Sequence, residues 1–331
     1  MAQRKTRSPV ALFFYRLRYR VGEHALRAWV AVFPWIPYRL LVLFTFFCAR
    51  VSFGLLWRYR RRMLENISTA LGAEIIDPAA RKALIWQAWR NFARGVLETC
   101  AVVHFSKEKI RSTIALEGEE HLKSALAKGK GVLALSAHLG GFTLIGARLG
   151  AGGYSFSAVV KQPGEEHFAR YLDDLRAQIS IRTISAKPRK EAVRGILKAL
   201  RQNCVVLVIA DEFKSGGVMV DFLGQIAPAP RGPATLALRT GAVTLPMFAT
   251  RRSDGSFRLS IGPEIEPVQL DELEKSVAAT TALFTRHLEA AIRRYPEQWN
   301  WLGFPRNGKI LRPKYQSPLS LPGDSSRAAP D

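Results

Sequence analysis

Residues 131–141 read GVLALSAHLGG and join a short apolar run to a histidine and two glycines. An apolar run of this length that begins after a glycine is typical of a strand buried inside a sheet. A helical pattern follows the glycines, so we predict a strand, a turn and a helix, with His138 at the end of the strand. The remainder of the chain repeats this alternation.

Further short apolar runs predict five more strands, and helical patterns lie between many of them. The strands are expected at FSAVVK (156–161), IRTISA (181–186), CVVLVIAD (204–211), VTLPMFAT (243–250) and FRLSIG (257–262). Apolar residues repeat at helical spacing in 77–103, 190–201 and 283–292. Strands that alternate with helices indicate a sheet covered on both faces. We therefore predict an α/β fold whose mixed, mostly parallel sheet is flanked by helices.

The helix predicted for residues 77–103 carries an apolar stripe with the spacing i, i+4, i+7 and i+11. The stripe consists of Ile85, Trp89, Phe92 and Val96. We expect these side chains to pack against the core. Trp299 and Trp301, near the other end of the chain, are likewise expected to pack rather than to bind a ligand.

Residues 28–57 form an apolar stretch interrupted only by Arg39 and Arg50, with clustered arginines on both flanks. Its uncharged runs are shorter than the ~18 residues expected of a clean membrane-spanning helix. A spanning helix usually carries positive charge mainly on its cytoplasmic side, whereas here both flanks are basic. We therefore expect an N-terminal membrane-associated helical segment that lies in the cytoplasmic leaflet. A buried core helix is the alternative.

The 331-residue chain has 49 Lys and Arg against 27 Asp and Glu, a net charge of +22. This excess predicts an anionic partner, which could be nucleic acid, a membrane surface, or an acidic carrier or substrate. No helix-turn-helix, RRM-like or zinc-finger pattern is found, so nucleic acid is not favoured. Cys48, Cys100 and Cys204 are far apart, so neither a disulfide framework nor a metal site is indicated. Their apolar surroundings indicate buried small hydrophobes.

Three polar residues stand where predicted strands end: His138, Lys161 and Asp211. In an open α/β sheet, ligands bind outside the carboxyl ends of the strands. Histidine is suited to act as a general base at neutral pH. Gly140 and Gly141 would let a substrate approach the backbone, and the helix after them would offer N–H groups to developing negative charge.

Arg231 precedes another predicted helix, where a cation and N–H groups could hold a phosphate. An ordinary surface arginine is the competing interpretation of this residue.

SAHLGGFTLIG (136–146) resembles the H-x4-D/E block of the glycerolipid acyltransferase superfamily. It is more similar to the bacterial branch that contains the lauroyl and myristoyl transferases of lipid A and the mycobacterial phosphatidylinositol mannoside acyltransferase. Further segments resemble that branch in the same order. They are 60–72, 89–99, VVKQPG with Lys161, 209–224 with Asp211 and Glu212, 231–248, and the closing 295–313.

The resemblance implies fatty acyl transfer from acyl carrier protein or acyl-CoA to a hydroxyl or amine of a membrane glycolipid or aminolipid, with a lipid A type acceptor favoured. It implies no cofactor and no metal, and a location at the cytoplasmic face of the bacterial inner membrane. The implied catalytic residues are His138 and Asp211. The implied substrate-binding residues are Gly140, Gly141, Lys161, Glu212 and Arg231.

The resemblance also suggests three regions. These are a basic and apolar membrane anchor at 1–59, an acyltransferase-like α/β domain at 60–313, and a Pro/Ser-rich tail at 314–331. The tail has little to bury, so we expect it to be disordered.

One position departs from the family pattern, because Thr143 stands where the family has an acid. In the family that carboxylate orients the imidazole and balances its positive charge. A threonine can hydrogen-bond an imidazole N–H, but it cannot balance the positive charge. Three explanations remain open. In the first, another carboxylate takes its place, with Asp211, Glu212, Glu165 and Glu166 as candidates. In the second, the enzyme acts slowly on an easier acceptor or a more reactive donor. In the third, the chain is a degenerate lipid-binding protein of the same fold.

Overall fold

The computed structural model describes residues 9–213 and 216–305. The predicted tail at 314–331 lies outside the described residues. The helices are α1 Pro9–Val32, α2 Tyr38–Leu55, α3 Trp57–Leu71, α4 Pro78–Ala101, α5 Lys107–Thr113, α6 Glu119–Ala127, α7 Leu144–Ala151, α8 Glu166–Gln178, α9 Arg189–Arg201, α10 Gly232–Thr240 and α11 Leu273–Arg294. The strands are β1 Ile114–Glu117, β2 Val132–Ser136, β3 Phe156–Val160, β4 Ile181–Ser185, β5 Val205–Ile209, β6 Val218–Phe222, β7 Gln225–Ala229, β8 Val243–Arg251 and β9 Phe257–Ile261.

Seven strands form one sheet in the order β1-β9-β8-β2-β5-β3-β4. Neighbouring strands run parallel except β8 and β9, which are antiparallel. The predicted α/β fold with a mixed, mostly parallel sheet is therefore confirmed. Two features were not predicted: the four-residue β1, and the separate antiparallel hairpin of β6 and β7.

Strand β2 lies in the middle of the sheet, and all five of its residues are buried. Successive side chains of a strand point to opposite faces of the sheet. Leu133 and Leu135 accordingly belong to one hydrophobic cluster, and Val132 and Ala134 to another. Strand β2 is thus apolar along this whole run because its alternate side chains pack into two hydrophobic clusters, one on each face of the sheet.

Helix α2 leaves most of its apolar surface exposed. It is long and apolar enough to cross a membrane by length and composition, and 11% of its residues are buried. Its exposed large side chains include Leu40, Leu43, Phe44, Phe47, Val51 and Leu55. A core helix would bury this face, so the exposure is consistent with membrane association and not with the buried alternative.

The prediction that the stripe on α4 packs inward is wrong for two of its residues. Ile85 is buried, but Phe92 is 65% exposed and Val96 is 55% exposed. Both side chains line a groove that α4 shares with Phe44 and Cys48 of α2. They therefore extend the exposed apolar surface of α2 instead of filling the core.

The prediction for the cysteines holds only for Cys204. Cys204 is buried, Cys100 is half-buried and Cys48 is exposed. Cys48 lies on the exposed apolar face of α2. Apolar neighbours in the sequence therefore did not indicate that this side chain is buried.

Candidate active site

His138 and Asp211 meet because their strands are adjacent, parallel and in register. Ser136, the last residue of β2, pairs with Ile209, the last residue of β5. Two residues further along each chain, the imidazole and the carboxylate face each other. The Nδ1 atom of His138 lies 2.8 Å from Oδ1 of Asp211, and the backbone N–H of His138 donates to Oδ2 at 2.8 Å.

The carboxylate of Asp211 is buried and receives a third donor from the closing segment of the chain. The indole Nε1–H of Trp299 donates to Oδ2 of Asp211 at 2.8 Å. Trp299 is itself buried, which confirms the prediction that it packs. Its contact with the carboxylate was not predicted from the sequence, although a buried indole N–H usually needs an acceptor.

This geometry fixes the chemistry of the imidazole. Because the carboxylate accepts the hydrogen on Nδ1, the neutral ring carries its basic lone pair on Nε2. The His138 side chain is 30% exposed whereas Asp211 is 2% exposed, so the ring faces a cavity and the carboxylate lies behind it. A base held by a buried carboxylate in this way is the arrangement used to deprotonate a nucleophile.

Segments that are distant in sequence hold the turn around His138. The backbone N–H of Asn300 donates to the His138 carbonyl at 3.1 Å. The Asn66 amide donates to the Trp301 carbonyl at 2.7 Å, and the Asn91 amide donates to the Glu297 carbonyl at 2.7 Å. Helices α3 and α4 therefore fix the segment that supplies Trp299.

The two glycines after His138 are explained by packing. Gly140 has a φ of +57°, and a Cβ atom there would lie 2.3 Å from the Ala249 carbonyl oxygen. A Cβ on Gly141 would lie 2.7 Å from the Phe257 ring. The N–H of Gly140 donates to the Gln298 carbonyl and that of Gly141 to the Ala249 carbonyl. Gly140 also lines the small cavity beside His138, whereas Gly141 is buried behind it.

Two cavities meet at the His138 ring. The smaller has a volume of about 180 Å³ and the larger about 580 Å³. The larger is mainly apolar and extends between α7, α8 and the sheet. Its apolar lining includes Leu26, Val30, Val102, Phe156, Ala158 and Ile181. A volume of this size is typical of sites that hold a small molecule or a ligand's apolar part.

A third cavity, of about 550 Å³, lies between α2, α3 and α4. It shares Phe92, Val96 and Trp299 with the small cavity beside His138. The exposed apolar surface of α2 and α4 is therefore continuous with the site.

The structure brings five of the predicted site residues together, because Gly140 lines the small cavity with His138. Lys161 and Glu212 line the larger cavity with His138, and Asp211 lies behind the ring. Arg231 lies apart, at the start of α10, and is absent from the walls of these cavities. It donates two hydrogen bonds of 2.7 Å to the Glu274 carboxylate.

Of the four carboxylates considered as replacements for the acid at position 143, Asp211 is hydrogen-bonded to the imidazole. Glu165 accepts from the Phe168 N–H at the start of α8, and Glu166 pairs with Arg170 on the surface. Thr143 itself lies 2.7 Å, oxygen to oxygen, from the Thr99 hydroxyl.

Arg251, which the sequence analysis did not consider, also lines the small cavity with His138. It ends β8, beside β2, so its position at a strand end was the available signal. Its guanidinium pairs with the buried carboxylate of Glu98, which also pairs with Arg94. Burial raises the pKa of Glu98, while Arg251 and Arg94 lower it. The positive charge of Arg251 is thus balanced by the buried carboxylate of Glu98.

Among the residues that the structure describes, no group of three or more His, Cys, Asp or Glu side chains is placed to hold a metal ion.

The fold and the site define an α/β enzyme in which a histidine base, oriented by a buried carboxylate, faces an apolar cavity. The profile of the bacterial lipid A biosynthesis acyltransferases matches residues 16–304, and the chain belongs to this family. It is therefore an acyltransferase of the lipid A biosynthesis acyltransferase family.

The chain is similar both to phosphatidylinositol mannoside acyltransferases and to a lipid A acyltransferase. The phosphatidylinositol mannoside acyltransferase of Mycolicibacterium smegmatis is 26% identical over 73% of this chain and 77% of its own length. The enzyme of the same name from Mycobacterium tuberculosis (strain H37Rv) is 26% identical over 83% and 86%. The lipid A biosynthesis lauroyltransferase of Escherichia coli K12 is 24% identical over 81% and 85%.

Proposed function

We propose that this chain transfers a fatty acyl group from an acyl thioester to a hydroxyl or amine on the headgroup or chain of a membrane glycolipid or aminolipid. The observation that carries the proposal is the His138–Asp211 pair at the wall of an apolar cavity. The donor is acyl carrier protein or acyl-CoA. Both donors are acidic, which suits the net charge of +22.

In the proposed reaction, Nε2 of His138 takes the proton from the acceptor hydroxyl as the new C–O bond forms. Asp211 stabilises the imidazolium that results. The tetrahedral intermediate then expels the thiolate, which takes the proton from His138. The bond that breaks is the thioester C–S bond. No cofactor or metal is needed, because the thioester is already activated.

We assign the acyl chain of the donor to the larger cavity, because its walls are apolar and it ends at His138. Lys161 is exposed at the wall of this cavity and is suited to hold a phosphate or the oxyanion. Glu212 lines the same cavity, and Gly140 lines the small cavity next to His138. Arg231 would have to exchange Glu274 for a substrate phosphate, so we assign the phosphate contact to Lys161.

We assign the exposed apolar surface of α2 and α4 to the membrane, on its cytoplasmic face, where acyl thioesters are made. Arginines flank this surface and would contact anionic headgroups. The cavity between α2, α3 and α4 adjoins the small cavity beside His138, and we assign the route of a lipid acceptor from the bilayer to these two cavities.

A lipid-binding protein without catalysis is the second candidate, and the observation that favours it is Thr143 in place of the family's acid. The direct hydrogen bond between Asp211 and His138 argues for the enzyme, because a site without chemistry needs no such pair.

The test uses the purified chain, palmitoyl-CoA and vesicles of bacterial lipid extract, with mass analysis of the lipids. His138→Ala should lower turnover by roughly 10²–10⁴, and Asp211→Asn should lower it comparably. His121→Ala removes a histidine on α6 that lines none of these cavities, and should retain activity. Full activity in the folded His138→Ala variant would overturn the proposal.

A further inference from the structure

The hydroxyl of Thr143 is one link in a short chain of hydrogen bonds beside His138. Its Oγ1 lies 2.7 Å from Oγ1 of Thr99, and Oγ1 of Thr99 donates to the Gly95 carbonyl at 2.8 Å. Thr99 has a single hydroxyl hydrogen, which it donates to the Gly95 carbonyl. The hydrogen in the contact between the two hydroxyls therefore belongs to Thr143.

This direction leaves the Thr143 oxygen as an acceptor toward the site. Thr143 and Thr99 line both cavities that meet at His138. Thr143 precedes α7, but its side chain makes no capping hydrogen bond to that helix. The Thr143 oxygen thus has lone pairs available in the two cavities that His138 also lines. Its own hydrogen is already donated to Thr99.

We infer that Thr143 accepts a hydrogen bond from the acceptor lipid and selects acceptors that carry a second donor next to the reacting atom. A lone alcohol has one hydrogen, and His138 takes it. A vicinal diol of a sugar or polyol has a second O–H, and an amine has a second N–H, either of which satisfies Thr143. The inference rests on the proposed acyl transfer and narrows its acceptor to polyol or amine headgroups.

Selectivity of this kind is measurable with simple acceptors. The probes are 1-dodecanol, 1,2-dodecanediol and dodecylamine in mixed micelles, with palmitoyl-CoA as the donor. The wild type should show a kcat/KM for the diol about tenfold above that for the monoalcohol, since the monoalcohol leaves a polar group of the site without a hydrogen-bond partner. The amine should be acylated like the diol.

The variants separate this role from packing. Thr143→Val keeps the volume but lacks the oxygen, so the ratio of diol to monoalcohol should fall toward one. Thr143→Ser restores the oxygen and should restore the ratio. Thr99→Val removes the acceptor of the Thr143 hydrogen, which frees that hydrogen to point into the site, and should also lower the ratio. If Thr143 only packs, its substitution would change kcat/KM for the diol and for the monoalcohol by the same factor, and the ratio would stay the same.

Two outcomes overturn the inference while acyl transfer stands: a wild-type ratio near one, or a Thr143→Val variant that keeps the preference. If the wild type acylates none of the acceptors and releases coenzyme A no faster than His138→Ala, the proposed function fails and the inference fails with it.

Discussion

Position 143 shows how one residue changes the charge of the site without removing its base. In the family pattern an acid stands here, whereas in this chain a neutral hydroxyl does. The imidazole of His138 keeps one carboxylate, because Asp211 reaches Nδ1 directly. Asp211 is thus in hydrogen-bonding contact with the histidine, and its takeover of the missing acid's role stays a prediction.

We predict that Thr143→Glu will not raise activity. A second carboxylate beside the His138–Asp211 pair adds like-charge repulsion and breaks the link to Thr99. Activity should be unchanged or lower in the acyl transfer assay. Thr143→Gln has the same shape without the charge, so the difference between the two variants isolates the electrostatic part. A rise in kcat for Thr143→Glu above Thr143→Gln would show that Asp211 has not taken over.

At the scale of elements, the alignment of β2 and β5 could be predicted, because buried parallel strands end at one edge of a sheet. That reasoning placed His138, Lys161 and Asp211 together, and the structure agrees. The contact from Trp299 to Asp211 could not be predicted, because it depends on how a loop 88 residues away in sequence docks. The exposure of Phe92 was not predicted for a related reason. Periodicity identifies the apolar face of a helix, but it does not show whether the protein core or another surface contacts that face.

The closing segment should support catalysis through Trp299. Trp299→Phe keeps an aromatic ring but removes the N–H that reaches Asp211, and hydrogen bonds to charged groups contribute about 1.5–3 kcal/mol. We expect kcat to fall about tenfold or more, with a smaller change in KM. Trp301→Phe is the matched control, because its N–H donates to the Pro296 carbonyl instead. Equal losses of kcat in the two variants, at equal thermal stability, would refute the assignment.

For the whole molecule, the apolar surface of α2 should hold the protein on anionic membranes. Leu43→Glu with Phe47→Glu places two charges on that surface, and binding that depends on buried apolar area should weaken. Much less of the protein should sediment with vesicles that contain phosphatidylglycerol. Val193→Glu with Ile226→Glu adds the same charge at exposed apolar residues elsewhere and should leave sedimentation unchanged. Full sedimentation of the first double variant would count against the anchor, as would full sedimentation of a chain without residues 1–59.

The position of Trp299 sets an order of events during synthesis. Five of the seven strands of the sheet, the histidine and its carboxylate are encoded before residue 212, but the indole that donates to the carboxylate emerges from the ribosome almost 90 residues later. A nascent chain that stops short of this loop holds the base without its full support. Catalytic competence is therefore among the last properties the growing polypeptide acquires, after the membrane-facing helices have had time to reach the bilayer.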